Sequence, residues 1–326
     1  MNKIKKIAVL TTGGDCPGLN AAIRAVVRSA IYYNLKVSGV SRGFEGLIDD
    51  QFADMNSHSV SNILQRGGTI LKTARSDRFT TKEGRQKAYE NLLKNEVDAL
   101  IVIGGDGSFR GIEVFTSEHP VNVIGIPKTI DNDIYGTDFA IGYDTAVNTV
   151  IQAVDKIRDT ADSHDRLFFI EVMGRDTGMI ALFGGIGSGS EAILIPETKT
   201  KMDKIMEILE RGWTRKKTSM IVMVAEGDDA GGAYKIASEV KKRFAQFDTR
   251  VSVLGHMQRG GSPTAADRVL ASRLGVSAVE ALLEGRSNEM AGIIDNKLVL
   301  TSFKDVVIKK KDFPYELMRI AEILSL

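Results

Sequence analysis

The sequence predicts an α/β fold, in which mostly parallel strands carry helices on both faces. Short, continuously apolar runs rich in Val and Ile recur along the chain, as they do in parallel strands that are buried on both sides. Amphipathic segments of helical period lie between these runs. Glycines and polar residues follow several of the runs, and the carboxyl ends of parallel strands are where α/β proteins bind ligands.

Eight of the apolar runs are predicted to be strands, and four of the segments between them to be helices. The first helix carries apolar residues from Ile23 to Ile31 on one face and Arg24 and Arg28, one turn apart, on another. This alternation predicts repeated βαβ units with right-handed crossovers. The predicted strands are residues 7–10, 37–40, 99–103, 121–126, 167–172, 192–195, 220–225 and 251–254; the later helices are about 145–160, 234–247 and 265–283, the last broken near Gly275.

The length of 326 residues predicts more than one lobe, since a domain averages roughly 150 residues. We expect two Rossmann-like, three-layer α/β/α lobes with mostly parallel sheets and a cleft between their strand ends. No long linker or low-complexity tract is present in the sequence. The glycine-rich residues 184–190 are a weak candidate for a domain boundary.

Charge and composition exclude several classes of function. The 43 basic and 42 acidic residues give a formal net charge of +1, so no global field attracts nucleic acid or an anionic membrane. The single cysteine, Cys16, cannot form an intrachain disulfide, and no Cys/His spacing typical of zinc is present. The first apolar run ends at Thr11, too early for a signal peptide, and no run is long enough to span a membrane. We expect a cytoplasmic protein.

Two glycine-rich loops follow predicted strands and have features of phosphate-binding loops. The loop at residues 11–20 joins a strand to a helix, but it matches neither the dinucleotide fingerprint nor the P-loop, so a tight turn explains it equally well. In the loop at residues 104–108, glycines let backbone amides face phosphate oxygens. Asp106 in that loop is able to hold Mg²⁺ directly or through water.

A third loop, residues 128–133, has the groups that phosphoryl transfer to an alcohol requires. That reaction needs a base near the hydroxyl, in-line geometry and cations near the developing charge. Asp131 is placed to act as the base, and Asp133 to tune it or to join the metal shell. Thr129 is suited to hydrogen-bond the transferring group and Lys128 to neutralise phosphate charge. A simple Asn-Asp turn does not explain these groups together.

Three later strand ends carry groups that suit a small phosphorylated acceptor. Residues 171–175 end in Gly-Arg, residues 224–227 contain Glu226, and residues 254–262 contain His256 and Arg259. We expect Glu226 to bind hydroxyls and the other two residues to bind a phosphate. Each residue alone is as readily a surface ion pair or a scaffold contact, so the prediction rests on several strand ends being functional at once.

These motifs, in their order and spacing, resemble those of the bacterial ATP-dependent 6-phosphofructokinases, the phosphofructokinase A family. The resemblance runs from about residue 4 to residue 290. Gly-Gly-Asp-Gly alone also resembles NAD kinases and lipid kinases, so the combination is what is specific. The matching segments are residues 13–20, 104–108, 129–133, 171–175, 225–227 and 255–263.

The resemblance implies an allosterically regulated homotetrameric enzyme of glycolysis. It would transfer a phosphoryl group from MgATP to the 1-hydroxyl of fructose 6-phosphate, which is the committed step, giving fructose 1,6-bisphosphate and ADP. Residues 1–141 with 255–305 would form the ATP-binding lobe. Residues 142–254 with 306–326 would form the sugar-phosphate-binding lobe.

The resemblance also assigns roles to individual residues. Asp131 would deprotonate the sugar hydroxyl, with Thr129, Asp133 and Arg175 completing the catalytic set, and Asp106 would hold Mg²⁺. The ATP site would be lined by Gly14, Arg75, Ser76, Gly104, Gly105, Asp106, Gly107 and Ser108. The sugar phosphate would be bound by Thr129, Asp131, Met173, Gly174, Arg175, Glu226, His256 and Arg259, with Arg166 and Arg250 reaching in from a neighbouring subunit.

Two positions bear on the phosphoryl donor. Lys128 stands where most ATP-dependent members have glycine and is a mark of the pyrophosphate-dependent branch, whereas Gly107 stands where that branch has aspartate. A carboxylate at position 107 would repel the α-phosphate of ATP, and glycine leaves room for it. The sequence therefore favours ATP, with a pyrophosphate-dependent 6-phosphofructokinase as the alternative.

The expected effector site, for ADP or phosphoenolpyruvate, is altered. Ser219 stands where the family usually has a histidine, Asn62 replaces an acid, and Ser57 stands where some members have an arginine. We therefore expect the pocket to be present with a changed effector preference. Its other residues are Arg24, Arg28, Arg158, Glu191, Arg215 and Lys217.

Two other classes of protein fit the sequence less well. A relative that binds phosphates without turnover should lack the base or the metal-binding acid, but Asp131 and Asp106 are both present. A nicotinamide dehydrogenase should carry Gly-x-Gly-x-x-Gly after the first strand, and that pattern is absent.

Overall fold

The computed structural model describes residues 4–325. The strands are β1 (Lys6–Thr11), β2 (Lys36–Val40), β3 (Phe52–Met55), β4 (Ala99–Gly104), β5 (Asn122–Pro127), β6 (Arg166–Val172), β7 (Ala192–Leu194), β8 (Ser219–Ala225), β9 (Asp248–Val253), β10 (Glu289–Ile294) and β11 (Lys297–Ser302). The α-helices are α1 (Leu19–Tyr32), α2 (Gly43–Ile48), α3 (Lys82–Lys94), α4 (Asp106–Glu118), α5 (Tyr143–Asp162), α6 (Met179–Gly187), α7 (Met202–Thr214), α8 (Ala233–Arg243), α9 (Ala265–Leu283), α10 (Phe303–Ile308) and α11 (Tyr315–Leu324).

The chain divides into two compact units. Unit 1 comprises the residues up to Thr145 together with Arg259–Lys311, and unit 2 comprises Ala146–Gln258 together with the residues from Asp312 onwards. Each unit has its own sheet and its own helices. The predicted α/β fold class with mostly parallel sheets is therefore confirmed.

Unit 1 is built on a seven-stranded sheet in the order β11-β10-β5-β4-β1-β2-β3. The five strands from β10 to β2 run parallel, and the edge strands β3 and β11 pair antiparallel with their neighbours. The parallel strands β1 and β4 are buried along nearly all of their length, which is why continuous apolar runs encode them. On one face, the side chains of Phe44, Phe79, Phe109 and Phe115 fill the core under the helices.

Unit 2 is built on a four-stranded parallel sheet in the order β7-β8-β6-β9. Helices α7 and α8 cover one face, where Leu209, Ile236 and Val240 pack against β6 and β8. The glycine-rich residues 184–190, a weak candidate for a domain boundary, lie within unit 2 and do not separate the two units. Gly184, Gly185 and Gly187 end helix α6, and a Cβ at any of them would lie within 3 Å of a neighbouring aliphatic side chain.

All eight predicted strands are present, but β3, β10 and β11 were not predicted. Strands β3 and β11 are edge strands with partly exposed side chains, so they lack the continuous apolar run that marks a buried parallel strand. Among residues 4–325, no helix is both long enough and apolar enough to cross a membrane.

The predicted break in α9 near Gly275 is wrong, because the helix runs unbroken from Ala265 to Leu283. Gly275 instead allows α9 to pack closely on α1. A Cβ at this position would lie 2.5 Å from the Cβ of Ala25 and 3.1 Å from the backbone oxygen of Ala22.

Gly275→Ala should therefore destabilise the protein although alanine is the better helix former. We expect overpacking to lower the free energy of unfolding by about 1–3 kcal/mol, measured by urea denaturation. Gly107→Ala in α4 is the matched control, since a Cβ there would face open space among the described residues outside its own helix turn, and it should not destabilise. Equal stability of the two variants would contradict the packing argument.

Candidate active site

Three predicted loops of unit 1 lie at one edge of its sheet. They follow β1, β4 and β5, which are adjacent and parallel, so their carboxyl ends meet. The backbone N–H of Thr12 donates to Ile103 O (3.1 Å), and that of Lys128 donates to Gly104 O (3.0 Å). The chain leaves β1 towards β2 on one side and leaves β4 towards β5 on the other. Such a change of direction opens a crevice at which α/β proteins bind ligands.

The loop after β4 forms the N-terminus of helix α4. Gly105 caps the helix, and Asp106, Gly107 and Ser108 form its first turn. The partial positive charge and the free N–H groups of a helix N-terminus attract phosphate. Gly104 has no room for a side chain, since a Cβ there would lie 2.5 Å from that of Ser108, whereas the Gly107 position faces open space within the described residues.

Asp106 is partly exposed and forms an ion pair with Arg110, one turn later in α4 (Nε–Oδ2 2.9 Å). This carboxylate raises the pKa of the Arg110 guanidinium above its usual value. Among residues 4–325, no group of three or more His, Cys, Asp or Glu side chains is arranged to hold a metal ion. A single carboxylate at a helix N-terminus that is suited to phosphate is also suited to Mg²⁺, which is usually held by one or two carboxylates together with substrate phosphates.

The side chain of Lys128 connects the loop after β5 to the loop after β1. Lys128 is 4% exposed, and its Nζ donates a hydrogen bond to the carbonyl of Gly14. Burial lowers the pKa of this ammonium group, and the nearby Arg259 guanidinium lowers it further. Arg259 itself donates from Nη1 to Asp15 O (3.2 Å). Two cations thus hold successive carbonyl groups of the glycine-rich loop.

The segment at residues 73–76 lies beside the same glycine-rich loop. Thr73 Oγ1 donates to Gly13 O (2.8 Å), which ties the two segments together. Arg75 is exposed, whereas the hydroxyl of Ser76 contacts the carboxylate of Glu45 and accepts from Phe79 N (3.1 Å). The predicted ATP-site residues of unit 1 therefore cluster around the ends of β1 and β4.

The acidic loop after β5 is held by its own side chains. Thr129 Oγ1 accepts from the backbone N–H of Asp131 (3.0 Å). Asn132 has a left-handed backbone (φ 53°), and its side chain accepts from Ala140 N (2.9 Å) and donates to Asp138 O (3.1 Å). The predicted base is 8% exposed, but Asp133, two residues later, is exposed. The two carboxylates therefore have different environments.

Unit 2 brings the ends of β6 and β8 together. Glu226 Oε1 accepts from the backbone N–H groups of Arg175 (2.8 Å) and Gly174 (3.3 Å). This contact supports the left-handed backbone of Arg175 (φ 52°), whose side chain is exposed. Met173 N donates to the side chain of Gln258 (3.2 Å).

Sequence reasoning missed the role of Gln258, which is fully buried in the turn that also carries the exposed His256. The matching segment at residues 255–263 contains this glutamine, but a buried structural amide has no sequence signal of its own. Unit 2 ends at Gln258, and unit 1 resumes at Arg259. Of the two phosphate ligands predicted in residues 254–262, His256 therefore belongs to unit 2 and Arg259 to unit 1.

Arg166 and Arg250 lie near the opposite edge of the unit 2 sheet. Both contact Asp248, at 2.7 Å and 2.9 Å, and Arg166 above all holds the pKa of that carboxyl below its usual value. Arg166 begins β6 and Met173 follows its end, so seven residues, or roughly 20 Å of strand, separate them. Unit 2 of one chain does not bring these arginines to Glu226.

The predicted effector residues of unit 2 form a second cluster. Glu191 is 6% exposed, accepts from Ile221 N (2.5 Å) and pairs with Lys217 (3.5 Å). Arg215 lines a small cavity with these two side chains. Arg158 donates to the carbonyls of Ser188 (2.6 Å) and Gly189 (3.0 Å).

The two other arginines predicted to bind the effector, Arg24 and Arg28, belong to α1 of unit 1. Partial burial lowers the pKa of Arg24, and the charge of Arg28 lowers it further.

Comparison with known proteins identifies the family. The family model described as phosphofructokinase matches residues 6–282. This chain belongs to the phosphofructokinase family. It is 53% identical to the "ATP-dependent 6-phosphofructokinase 2" of Bacteroides thetaiotaomicron over 326 residues, which is 100% of each chain. It is 51% identical to the "ATP-dependent 6-phosphofructokinase 1" of Thermus thermophilus over 323 residues, 99% of this chain and 100% of that relative.

A solved relative supports the same assignment. The crystal structure of Pichia pastoris phosphofructokinase in the T-state superposes with a TM-score of 0.88 at 36% identity. The match covers 99% of this chain and 37% of the longer Pichia chain. The family resemblance predicted from the motifs is therefore confirmed.

Replacing Lys128 by methionine should remove a pH-dependent contribution to stability. Because burial lowers the pKa of this lysine, the unfolded chain binds more protons than the folded one between the lowered value and about 10.4, and stability rises with pH in that window. Wild-type protein should therefore gain free energy of unfolding relative to Lys128→Met as the pH rises from about 7 towards about 10. Urea denaturation at several pH values measures this difference.

The exposed Lys310 provides the matched control. Lys310→Met removes the same charge from a solvated position, so its stability relative to wild type should change little over the same pH range. If Lys128→Met and Lys310→Met show the same pH dependence, Lys128 is not buried as described.

Proposed function

We propose that this phosphofructokinase transfers the terminal phosphoryl group of MgATP to the 1-hydroxyl of fructose 6-phosphate, giving fructose 1,6-bisphosphate and ADP in the committed step of glycolysis. The observation that carries the proposal is the grouping of the glycine-rich loop, a helix end that also carries a metal-suited carboxylate, and the Asp131 loop at the ends of three adjacent strands. Identity of about half the residues to full-length relatives named as ATP-dependent 6-phosphofructokinases supports it.

In this proposal, unit 1 binds the nucleotide. The β- and γ-phosphates would lie against the amides of Gly104–Ser108 at the start of α4, where the helix dipole favours anions. Arg75, Ser76 and Gly14 would complete the site from the neighbouring segments. Asp106 would hold Mg²⁺, which supplies positive charge to the phosphates when bound.

The sugar phosphate would be held mainly by unit 2. Glu226 and the backbone of Met173 and Gly174 are suited to bind hydroxyl groups, while His256 and Arg175 offer donors to phosphate oxygens. Arg259, which belongs to unit 1, is proposed to bind the same phosphate.

Asp131 is proposed as the general base that takes the proton of the 1-hydroxyl. Asp131 is buried in a loop that hydrogen bonds of Thr129 and Asn132 hold in place, and this would fix the carboxylate in one orientation. Thr129 would hydrogen-bond the transferring group, and Arg175 would neutralise its charge. The exposed Asp133 would tune the base.

The donor is ATP in this proposal, although Lys128 is present. The lysine is engaged with the Gly14 carbonyl, so it adds positive charge near the phosphate site without occupying the open space at Gly107. The Bacteroides and Thermus relatives are named as ATP-dependent enzymes, which supports this choice of donor.

The active enzyme is proposed to be a homotetramer with shared active sites. Arg166 and Arg250 are far along the sheet from Glu226 in their own unit, so they would serve the sugar-phosphate site of another copy. Binding at such shared sites would couple occupancy to the arrangement of subunits.

The cluster of Glu191, Arg215 and Lys217 is proposed to bind the effector, ADP or phosphoenolpyruvate, together with Arg158 and with Arg24 and Arg28. Ser219, at the start of β8, lacks the charge of the usual histidine, so the effector preference would be altered. A cytoplasmic location remains a prediction.

Asp131→Asn should lower kcat by about 10²–10⁴-fold, because the amide cannot accept the hydroxyl proton. The KM for fructose 6-phosphate should change little, since the amide keeps the size and hydrogen-bonding capacity of the side chain. Initial rates with ATP and fructose 6-phosphate over a range of both concentrations separate the two effects. A variant with nearly wild-type kcat would show that Asp131 is not the base.

Gly107→Asp should raise the KM for ATP by at least about tenfold, because the new carboxylate would face the nucleotide phosphates. Gly107→Asn adds the same volume without the charge and is the matched control; it should be less impaired. Rates with ATP and with pyrophosphate are compared for all three proteins. A wild-type enzyme that works well only with pyrophosphate would overturn the choice of donor.

A further inference from the structure

The loop that carries Asp131 and Asp133 is long, and hydrogen bonds join its two halves. It runs from Lys128 to Gly142, and its backbone pairs where the two halves meet the strand end: Thr129 N donates to Ile141 O (3.1 Å) and Ile141 N donates to Pro127 O (3.1 Å). The side chain of Asn132 links the acidic half to the returning half, since it accepts from Ala140 N and donates to Asp138 O.

The returning half is fixed to the sheet at Asp138. The backbone N–H of Asp138 donates to Ile293 O in β10 (2.7 Å). The Asp138 carboxylate accepts from Asp295 N in the following turn (2.8 Å). These two contacts fix the position of Asp138, and its carbonyl oxygen accepts the hydrogen bond from the Asn132 side-chain amide.

A lysine from the C-terminal part of unit 1 donates to the same carbonyl. Lys311 Nζ lies 2.6 Å from Asp138 O, although the two residues are 173 positions apart in the sequence. Two residues earlier, Lys309 lies over the ring of Tyr135 in the same loop, 5.3 Å from the ring centroid, and pairs with Asp305 (3.1 Å). The segment after α10 thus contacts the loop at two places.

Lys311 differs from a surface lysine in its environment. It is partly buried, and burial lowers its pKa to about 8, while the charges of Asp138 and Asp133 act in the opposite direction. Removing an ammonium group from water is unfavourable unless it gains partners. The neighbouring Lys310 is exposed. Within the Lys309–Lys311 run, Lys311 is the lysine that donates to the backbone of the loop.

We propose that Lys311 is a positioning residue for phosphoryl transfer. Its hydrogen bond to the Asp138 carbonyl holds the oxygen on which Asn132 depends, and Asn132 sets the backbone that carries Asp131. Its positive charge also lies near Asp133. The inference rests on the proposed function, since it assigns Lys311 to the orientation of the proposed base.

Kinetics of three variants test this inference. Lys311→Met removes the donor and the charge, Lys311→Arg keeps both, and Lys310→Met removes the same charge one residue away. We expect Lys311→Met to lower kcat about tenfold or more, because a small misplacement of a catalytic group is costly, while the KM values for ATP and fructose 6-phosphate stay within about threefold. Lys311→Arg should recover most of kcat, and Lys310→Met should behave as wild type.

Urea denaturation of the same proteins separates positioning from folding. The urea midpoint of Lys311→Met should stay close to that of wild type, because the lost hydrogen bond is offset by the relief of a buried charge. A kcat for Lys311→Met within twofold of Lys310→Met would overturn the proposal. So would a loss of kcat that Lys311→Arg does not recover.

Hydrogen exchange without substrates gives a readout that does not depend on activity. The amide of Ala140, which donates to Asn132, should exchange faster in Lys311→Met than in wild type or Lys310→Met, and equal rates would contradict the proposal. If wild-type protein does not phosphorylate fructose 6-phosphate, the proposed function fails, while the exchange rates still decide whether Lys311 holds the loop.

Discussion

The hydrogen bond from the buried Lys128 ammonium to the Gly14 carbonyl is the interaction on which the candidate nucleotide site depends. Strand β4 lies between β1 and β5, so this side chain reaches across the end of β4 and joins the two outer loops. Helix α4 begins in the loop after β4, which the Lys128 side chain crosses. The start of α4, which is proposed to bind phosphate, the glycine-rich loop and the acidic loop therefore form one connected group, and displacement of any of them would disturb the others.

Burial strengthens this hydrogen bond but also imposes a cost for removing the lysine charge from water. A hydrogen bond to a charged donor is worth more away from water, but a buried charge must be compensated by nearby polar groups. The carbonyl of Gly14 supplies that compensation, and the negative charges of Asp15 and Asp131 favour the charged lysine. The same lysine would sit at the edge of a site for a highly charged nucleotide, which is a physical reason for tolerating the desolvation that lowers its pKa.

The sequence predicted the parallel strands and the loops at their ends because burial on both faces leaves a continuous apolar run. It did not predict β11, whose side chains are half-buried at a sheet edge, and it mistook Gly275 for a helix break when the glycine serves helix packing. The contact of Lys311 with Asp138 left no trace in the sequence, since a lysine run usually indicates a solvated surface and the partner is a backbone oxygen far away in the chain. Periodicity and motifs report local burial and chemistry, whereas contacts of this kind depend on the finished fold.

The central claim is that three strand ends of unit 1 hold the donor phosphates beside the base Asp131. A crystal structure with a non-hydrolysable ATP analogue, Mg²⁺ and fructose 6-phosphate tests it most directly. The account predicts phosphate oxygens within hydrogen-bonding distance of the Gly104–Ser108 amides, Mg²⁺ on Asp106, and the Asp131 carboxylate within hydrogen-bonding distance of the sugar 1-hydroxyl. Phosphates bound away from the start of α4, or a 1-hydroxyl out of reach of Asp131, would contradict it.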